Sequence, residues 1–340
     1  VAAPWQVDGV GATSRAACDA VRDLAVPEKD RPTPAEAASL KTCSSRDLYY
    51  GIGQPVDRMA ARKCAILENE RLADESAAIS GPAVLAMIYA NGYGVSRNLD
   101  LARHMSCLSS WAPAELEGRI SHLDQLKTLK PGEVLADCKD PANHYAAAYC
   151  RGAFDFCDDI TSGYMGGHCT AIASDKAAAE RKQRFTAMAA SWPAADRVAF
   201  AALQKAATGF FESRAGNEID MSGTLRGAFW QEERDRLMLG FEAGVVAVEQ
   251  GRALGAGADL ASADQALNEA WKTLRKADLS GAGTIELKGI TATQRLWLVY
   301  RDAWAAFVHV HRPDQSIDGL KAHLSRIRAR QLKELAGAPK

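Results

Sequence analysis

The sequence predicts an all-α protein, a helix-pair unit followed by two helical-bundle modules, with disulfides stabilising the first half. Three observations lead there. Ala, Leu, Glu, Lys and Arg, all good helix formers, fill much of the chain. No segment sustains period-two alternation with β-branched residues, so no strand is expected. Eight cysteines, an even number, all lie between Cys18 and Cys169, and disulfides persist in oxidising compartments.

Helix breakers set the order of the elements. They fall at Pro27 to Pro34, Gly51 to Pro55, Gly81-Pro82, Gly92 to Gly94, Pro131-Gly132, Gly163 to Gly167, Trp192-Pro193, Gly251 to Gly257, Gly281 to Gly283 and Pro313. Helices of about 10–25 residues fit between them. Residues 1–35 read as an N-terminal segment, residues 36–135 as the helix-pair unit, 136–252 as a first module and 253–340 as a second. The chain begins Val1-Ala2-Ala3-Pro4 without Met, which suits removal of a leader and a periplasmic or secreted product.

The cysteines allow roughly a hundred connectivities. Sequence alone does not assign four bridges among these; the expected pairing is Cys43 with Cys64, Cys138 with Cys150, Cys157 with Cys169 and Cys18 with Cys107. Metal binding is the other reading of such residues. The two-residue gap that lets neighbouring thiolates converge on zinc is absent.

Two internal similarities follow. Tyr50 to Gly53 leads to Asp57, Ala61 and Cys64; Gly92 to Val95 leads to Asp100, Ala102 and Cys107. The Asp pair and the Cys pair are each 43 residues apart, a period typical of helix-pair solenoids. Ala83, Leu85, Ala86, Tyr89, Gly92, Gly94, Val95, Asp100 and Ala102 resemble the Sel-one-like repeat, a tetratricopeptide-related helix pair. That resemblance implies a scaffold that binds protein.

The second similarity spans the C-terminal half. Gln204, Lys205, Phe210 and Glu212 recur as Gln294, Arg295, Tyr300 and Asp302, and Asp175 recurs as Asp264. Asp264, Leu267 and Asn268 open one helix; Gln294, Arg295, Trp297, Tyr300, Arg301 and Asp302 lie on the next; the run Arg326, Arg328, Arg330 closes the module. This pattern resembles the LprI-like lysozyme-inhibitor family of small secreted bacterial domains. The first copy departs from it, with Ala207 in place of Trp297 and Phe211 in place of Arg301, and supplies the cysteine-flanked entry Cys157 to Cys169. The resemblance implies a protein partner, a lysozyme or other peptidoglycan hydrolase, and no chemistry of the chain's own. An immunity protein against a secreted toxin is a narrower form of that expectation. A non-inhibitory scaffold or adaptor of the cell envelope is the alternative.

Composition and motifs exclude other classes. A formal net charge of −1, with neither half strongly of one sign, gives no electrostatic argument for nucleic acid. The longest apolar candidate, Leu296 to Val310, is broken by Arg301 and Asp302, so no membrane span is expected. No Gly-x-Ser-x-Gly, His-Glu-x-x-His or phosphate loop is present. Asp278 to Ile285 starts like a calcium loop, but Ala282 and Gly289 occupy ligand positions. His309 and His311 diverge on a helix, and His104, His122, His144, His168 and His323 form no cluster in sequence. No cofactor or metal is therefore expected. Trp297, Tyr300, Trp304 and Phe307 recur at helical spacing and read as a buried stripe. Arg301 and Asp302 read as structural ion-pair formers, and the Arg326 to Arg330 run as a solvated face. The expected partner contacts are Gly-rich tips, represented by Gly163 and Tyr164, Asp220 and Ser222, and Ser280 and Thr284.

Overall fold

The computed structural model describes residues 3–71, 79, 81–109, 112–140, 142 and 146–337. Val1, Ala2 and His144 lie outside the described residues. The described chain is all-helical, without strands, and divides into two compact units, Val1–Ala179 and Glu180–Lys340.

The first unit contains α1 (Ala12–Asp19), α2 (Pro34–Ser39), α3 (Ser45–Tyr50), α4 (Arg58–Glu70), α5 (Gly81–Asn91), α6 (Leu99–Leu108), α7 (Pro113–Thr128), α8 (Ala147–Cys150) and the first part of α9 (Gly163–Ala189). Side-chain caps start several of these helices. Thr33 and Glu36 cap α2 reciprocally, and Ser44, Asp57 and Asn98 accept amide hydrogens at the starts of α3, α4 and α6. The turns from α3 to α4 and from α5 to α6 are built alike. Gly51 and Gly53 have φ of 75° and 71°, and Gly92 and Gly94 have 69° and 67°. In each turn the capping residue donates its amide back to the preceding helix: Asp57 N to Leu48 O and Asn98 N to Tyr89 O, both at 2.9 Å. The structural counterpart of Asp57 is therefore Asn98, two residues before the Asp100 that sequence spacing selects. Asp100 instead accepts from Lys127 Nζ at 2.6 Å.

α5 is buried on all sides, from Ala83 to Ala90, between α4 and α6. A helix apolar all round is a core helix. Four disulfides join Cys18 to Cys107, Cys43 to Cys64, Cys138 to Cys150 and Cys157 to Cys169. The last closes the segment that enters α9. The wholly buried Glu115 of α7 holds that segment, accepting from Ser162 N at 2.9 Å and Ser162 Oγ at 2.6 Å.

The second unit contains the end of α9, then α10 (Ala194–Asn217), α11 (Arg226–Glu249), α12 (Leu260–Leu274), α13 (Leu287–His311) and α14 (Ile317–Ala336). One hydrophobic core runs from Phe185 to Leu335 and draws on all of them. α10 lies antiparallel to α13, with Phe200 beside Phe307 and Phe210 stacked on Tyr300 at 5.3 Å. These are the corresponding helices of the two sequence copies, and Phe210 and Tyr300 are corresponding positions. α12 packs along α14.

Two charged features of this unit differ from the sequence reading. His311, expected at a solvated helix end, is 8% exposed at its side chain. Its ring nitrogens lie 2.7 Å from Asp196 and 2.7 Å from Glu249, and its ring stacks on Phe307. It ties the start of α10 and the end of α11 to the end of α13. Within the Arg run, Arg326 and Arg330 are exposed and Arg328 is wholly buried. Residues four apart share a helix face, whereas the residue midway between them points to the other side.

Candidate partner-binding surface

The motif on α12 to α14 divides into residues that hold the helices together and residues that face outward. Asp264 Oδ1 accepts from Ser325 Oγ at 2.8 Å and from Arg301 Nη1 at 3.3 Å, joining α12, α14 and α13 through one carboxylate oxygen. The Arg301 guanidinium lies 5.2 Å from the centre of the Trp297 ring. Leu267, Trp297 and Tyr300 are buried in the core, and burial holds the Tyr300 phenol protonated. Gln294 Oε1 accepts from Arg328 Nε at 2.8 Å.

Asn268, Arg295 and Asp302 are exposed. Arg295 and Asp302 stand two turns apart on one face of α13, with Leu298 and the 56%-exposed Val299 between them. This is an apolar patch bounded by opposite charges. Asp302 Oδ1 is 3.8 Å from Arg301 Nε, too far for a strong hydrogen bond.

The Gly-rich tips are more closely related than sequence distance indicates. The loop after α10 and the loop before α13 meet at Asp220. Its carboxylate accepts from Ser222 N at 2.9 Å and Ser222 Oγ at 2.7 Å within its own loop. From the other loop it accepts Thr284 N at 3.1 Å and Thr284 Oγ1 at 3.4 Å. Met221 N donates in return to Thr284 Oγ1 at 2.7 Å. Ser280 N donates to Asp278 Oδ1, which rounds off the second loop. Asp220, Ser222, Ser280 and Thr284 thus belong to two adjoining exposed loops at one end of the second unit. Gly163 and Tyr164 open α9 in the first unit, where the 56%-exposed Tyr164 ring lies 4.5 Å from His168.

The glycines point to both loops of the second unit but not to Asp220 as the group that joins them, and Gly163 to Gly167, expected as a third tip, lie inside α9 with Gly163 buried. The sequence reading also missed Ser325 as the partner of Asp264 and Glu218 as the partner of Arg328. Spacing gives no signal for such pairs, because each partner lies on a different helix. Among the described residues, no three His, Cys, Asp or Glu side chains converge as a metal site requires.

The Ser222 amide, then the Ser222 hydroxyl and the Thr284 amide, hold the Asp220 carboxyl below the ordinary carboxylate value of 3.8. A depressed carboxyl makes its full contribution above the unfolded value and loses it as pH falls through the folded one. The loop junction is therefore expected to stay closed at neutral pH and to open only below 3.8. Amide shifts of Ser222 and Thr284 followed against pH would check this; a midpoint at or above 3.8 would contradict it. A β-carbon at Gly283 would overlap the Asp220 carboxylate, and Gly283 has φ of 62°. Gly283→Ala is expected to part the loops at any pH.

Comparisons with curated proteins and with solved structures give no match. Residues 250–334, from the linker before α12 into the last turns of α14, match the family model described as Lysozyme inhibitor LprI, and the family resemblance of the chain lies in this C-terminal part.

Proposed function

We propose that the protein binds an envelope-degrading enzyme, a lysozyme or other peptidoglycan hydrolase, and blocks it without chemistry of its own. The match of residues 250–334 to a lysozyme-inhibitor family carries this reading. The four disulfides fit an extracytoplasmic protein. No helix among the described residues is long and apolar enough to cross a membrane. The periplasm or the cell exterior, where such hydrolases act, is the proposed location. Protection against a secreted antibacterial toxin, as an immunity protein, is the narrower form of the same proposal.

Inhibition of this kind works by exclusion. The paired loops around Asp220 and Thr284 project from a helical core and are cross-bonded before any partner arrives. A preorganised tip loses little conformational entropy when it enters a cleft, and there it displaces substrate and water from the catalytic groups. The α13 face between Arg295 and Asp302 is the second candidate contact.

The test is clearance of a peptidoglycan suspension by lysozymes and other peptidoglycan hydrolases, with the purified full chain added. Stoichiometric loss of clearance is expected with at least one enzyme. Thr224→Arg, at an exposed position of the loop that carries Asp220, is expected to weaken inhibition about tenfold or more, while Val299→Asp on α13 leaves it in place. The reverse pattern would move the contact to α13. If no hydrolase is bound or slowed, the proposal fails. A hydrolase bound with full activity would favour a scaffold or adaptor. One observation supports that second reading: the helix pairs α3–α4 and α5–α6 lie wholly outside the matched residues.

A further inference from the structure

We propose that the second unit holds a binding site for a fatty-acid-type amphiphile, an alkyl chain ending in a carboxylate. A cavity of 360 Å³ lies among α10, α11, α13 and α14. Its apolar walls are Phe210, Phe211, Phe241, Trp297, Tyr300 and Trp304. The volume falls within the roughly 300–1,000 Å³ typical of small-molecule sites, which helical bundles build between their helices.

Two glycines keep the space open. Gly240 and Gly244 line it one turn apart on α11. A β-carbon at Gly240 would meet nothing within 4 Å, and one at Gly244 would touch the Trp304 indole at 3.3 Å. The lining on α11 runs from Arg236 to Gly244, a length of roughly 12 Å at the helical rise. An elongated apolar cleft of this length accommodates an alkyl chain.

The polar groups lie toward the two ends. Arg236 and Gln331 stand at the end where α10 finishes, and His323 stands near Leu254 at the other. Burial, then the exposed Arg330 and Arg326, push the His323 imidazole down, so neutral His323 offers an anion little. Arg236 belongs to a continuous ion network. It pairs with Glu233 at 2.6 Å, Glu233 with Arg214 at 3.0 Å, Arg214 with Glu218 at 3.6 Å, and Glu218 with Arg328 at 2.5 Å. With Glu334 of α14 the network balances three arginines against three glutamates, but none of these glutamates lines the cavity, whose lining holds Arg236 and no carboxylate. Arg236 is 59% exposed at its side chain, so a head group reaches it from solvent. The acid facing it from α14 is Glu334. An anionic head at Arg236 with its tail along Gly240 and Gly244 matches both the charge and the walls.

The full chain, stripped of lipid under mild conditions, would be titrated with laurate, dodecanol and dodecyltrimethylammonium below their aggregation concentrations. Calorimetry would supply the stoichiometry and tryptophan fluorescence the affinity. One laurate per chain is expected, with a dissociation constant on the order of micromolar. Gly240→Leu fills the cavity at a position with free space, and should weaken laurate about tenfold or more while helicity and unfolding temperature hold or rise. Arg236→Gln should weaken laurate about tenfold and leave dodecanol unchanged. Absence of saturable laurate binding would overturn the proposal. So would equal binding by Gly240→Leu, or a cationic amphiphile that binds as tightly as laurate.

Discussion

Glu218→Ala is expected to destabilise the second unit by about 3–5 kcal/mol, the usual cost of removing one partner from a buried ion pair. The Glu218 and Arg328 side chains are both 0% exposed. The carboxylate receives two guanidinium bonds, Nη2 to Oε1 at 2.5 Å and Nη1 to Oε2 at 2.8 Å. Gln294 holds Nε, and the guanidinium lies 5.6 Å from the Phe210 ring centre. Without Glu218, Arg328 keeps its charge among apolar groups and loses both bonds to the carboxylate. Nearby Arg214 then adds repulsion where it previously shared a counter-ion. Replacing the pair together, Glu218→Leu with Arg328→Met, is expected to recover most of the loss, because neither charge then has to leave water. Urea unfolding followed by tryptophan fluorescence would measure both variants. A single-variant cost below about 1 kcal/mol would show that water reaches the pair.

Reduction of the disulfides is expected to unfold the first unit and leave the second intact. The Cys18–Cys107 bridge closes a loop with a sequence separation of 89, worth about 4–5 kcal/mol in the chain-entropy account. The bridges at separations of 21, 12 and 12 contribute about 3 kcal/mol each on the same account. Their sum is of the order of the 5–15 kcal/mol that keeps a whole domain folded. Hydrogen exchange with and without reductant would resolve the two units. Protection should collapse across residues 18–169 and persist across α12 to α14. Loss of protection in α13 at the same reductant concentration would contradict the expectation.

The sequence revealed the packing of α13 and concealed its charge pairs, for a physical reason. Trp297, Tyr300, Trp304 and Phe307 announce a buried stripe because apolar residues at helical period have one low-energy destination. Arg328 announces nothing, since an arginine in a basic run reads as solvated until Glu218, Gln294 and Gln331 are brought around it. The same holds at the tip. Glycines mark both loops as turns, but the bond between Thr284 and Asp220 spans 64 residues and depends on the end of α10 lying beside the start of α13. The glycine turns at 51–53 and 92–94 were visible as a repeat. Their register was not, because Asp100 resembles Asp57 more closely than the Asn98 that performs the same capping.

Phe210 on Tyr300 is contact between two positions that correspond in the sequence comparison of α10 with α13. In the sequence comparison Trp297 corresponds to Ala207 and Arg301 to Phe211, so large and small, charged and aromatic are divided between the two helices. On α10 the corresponding positions Lys205, Gly209 and Glu212 keep both charges without the apolar residue between them, so the combination of Arg295, Val299 and Asp302 is particular to α13.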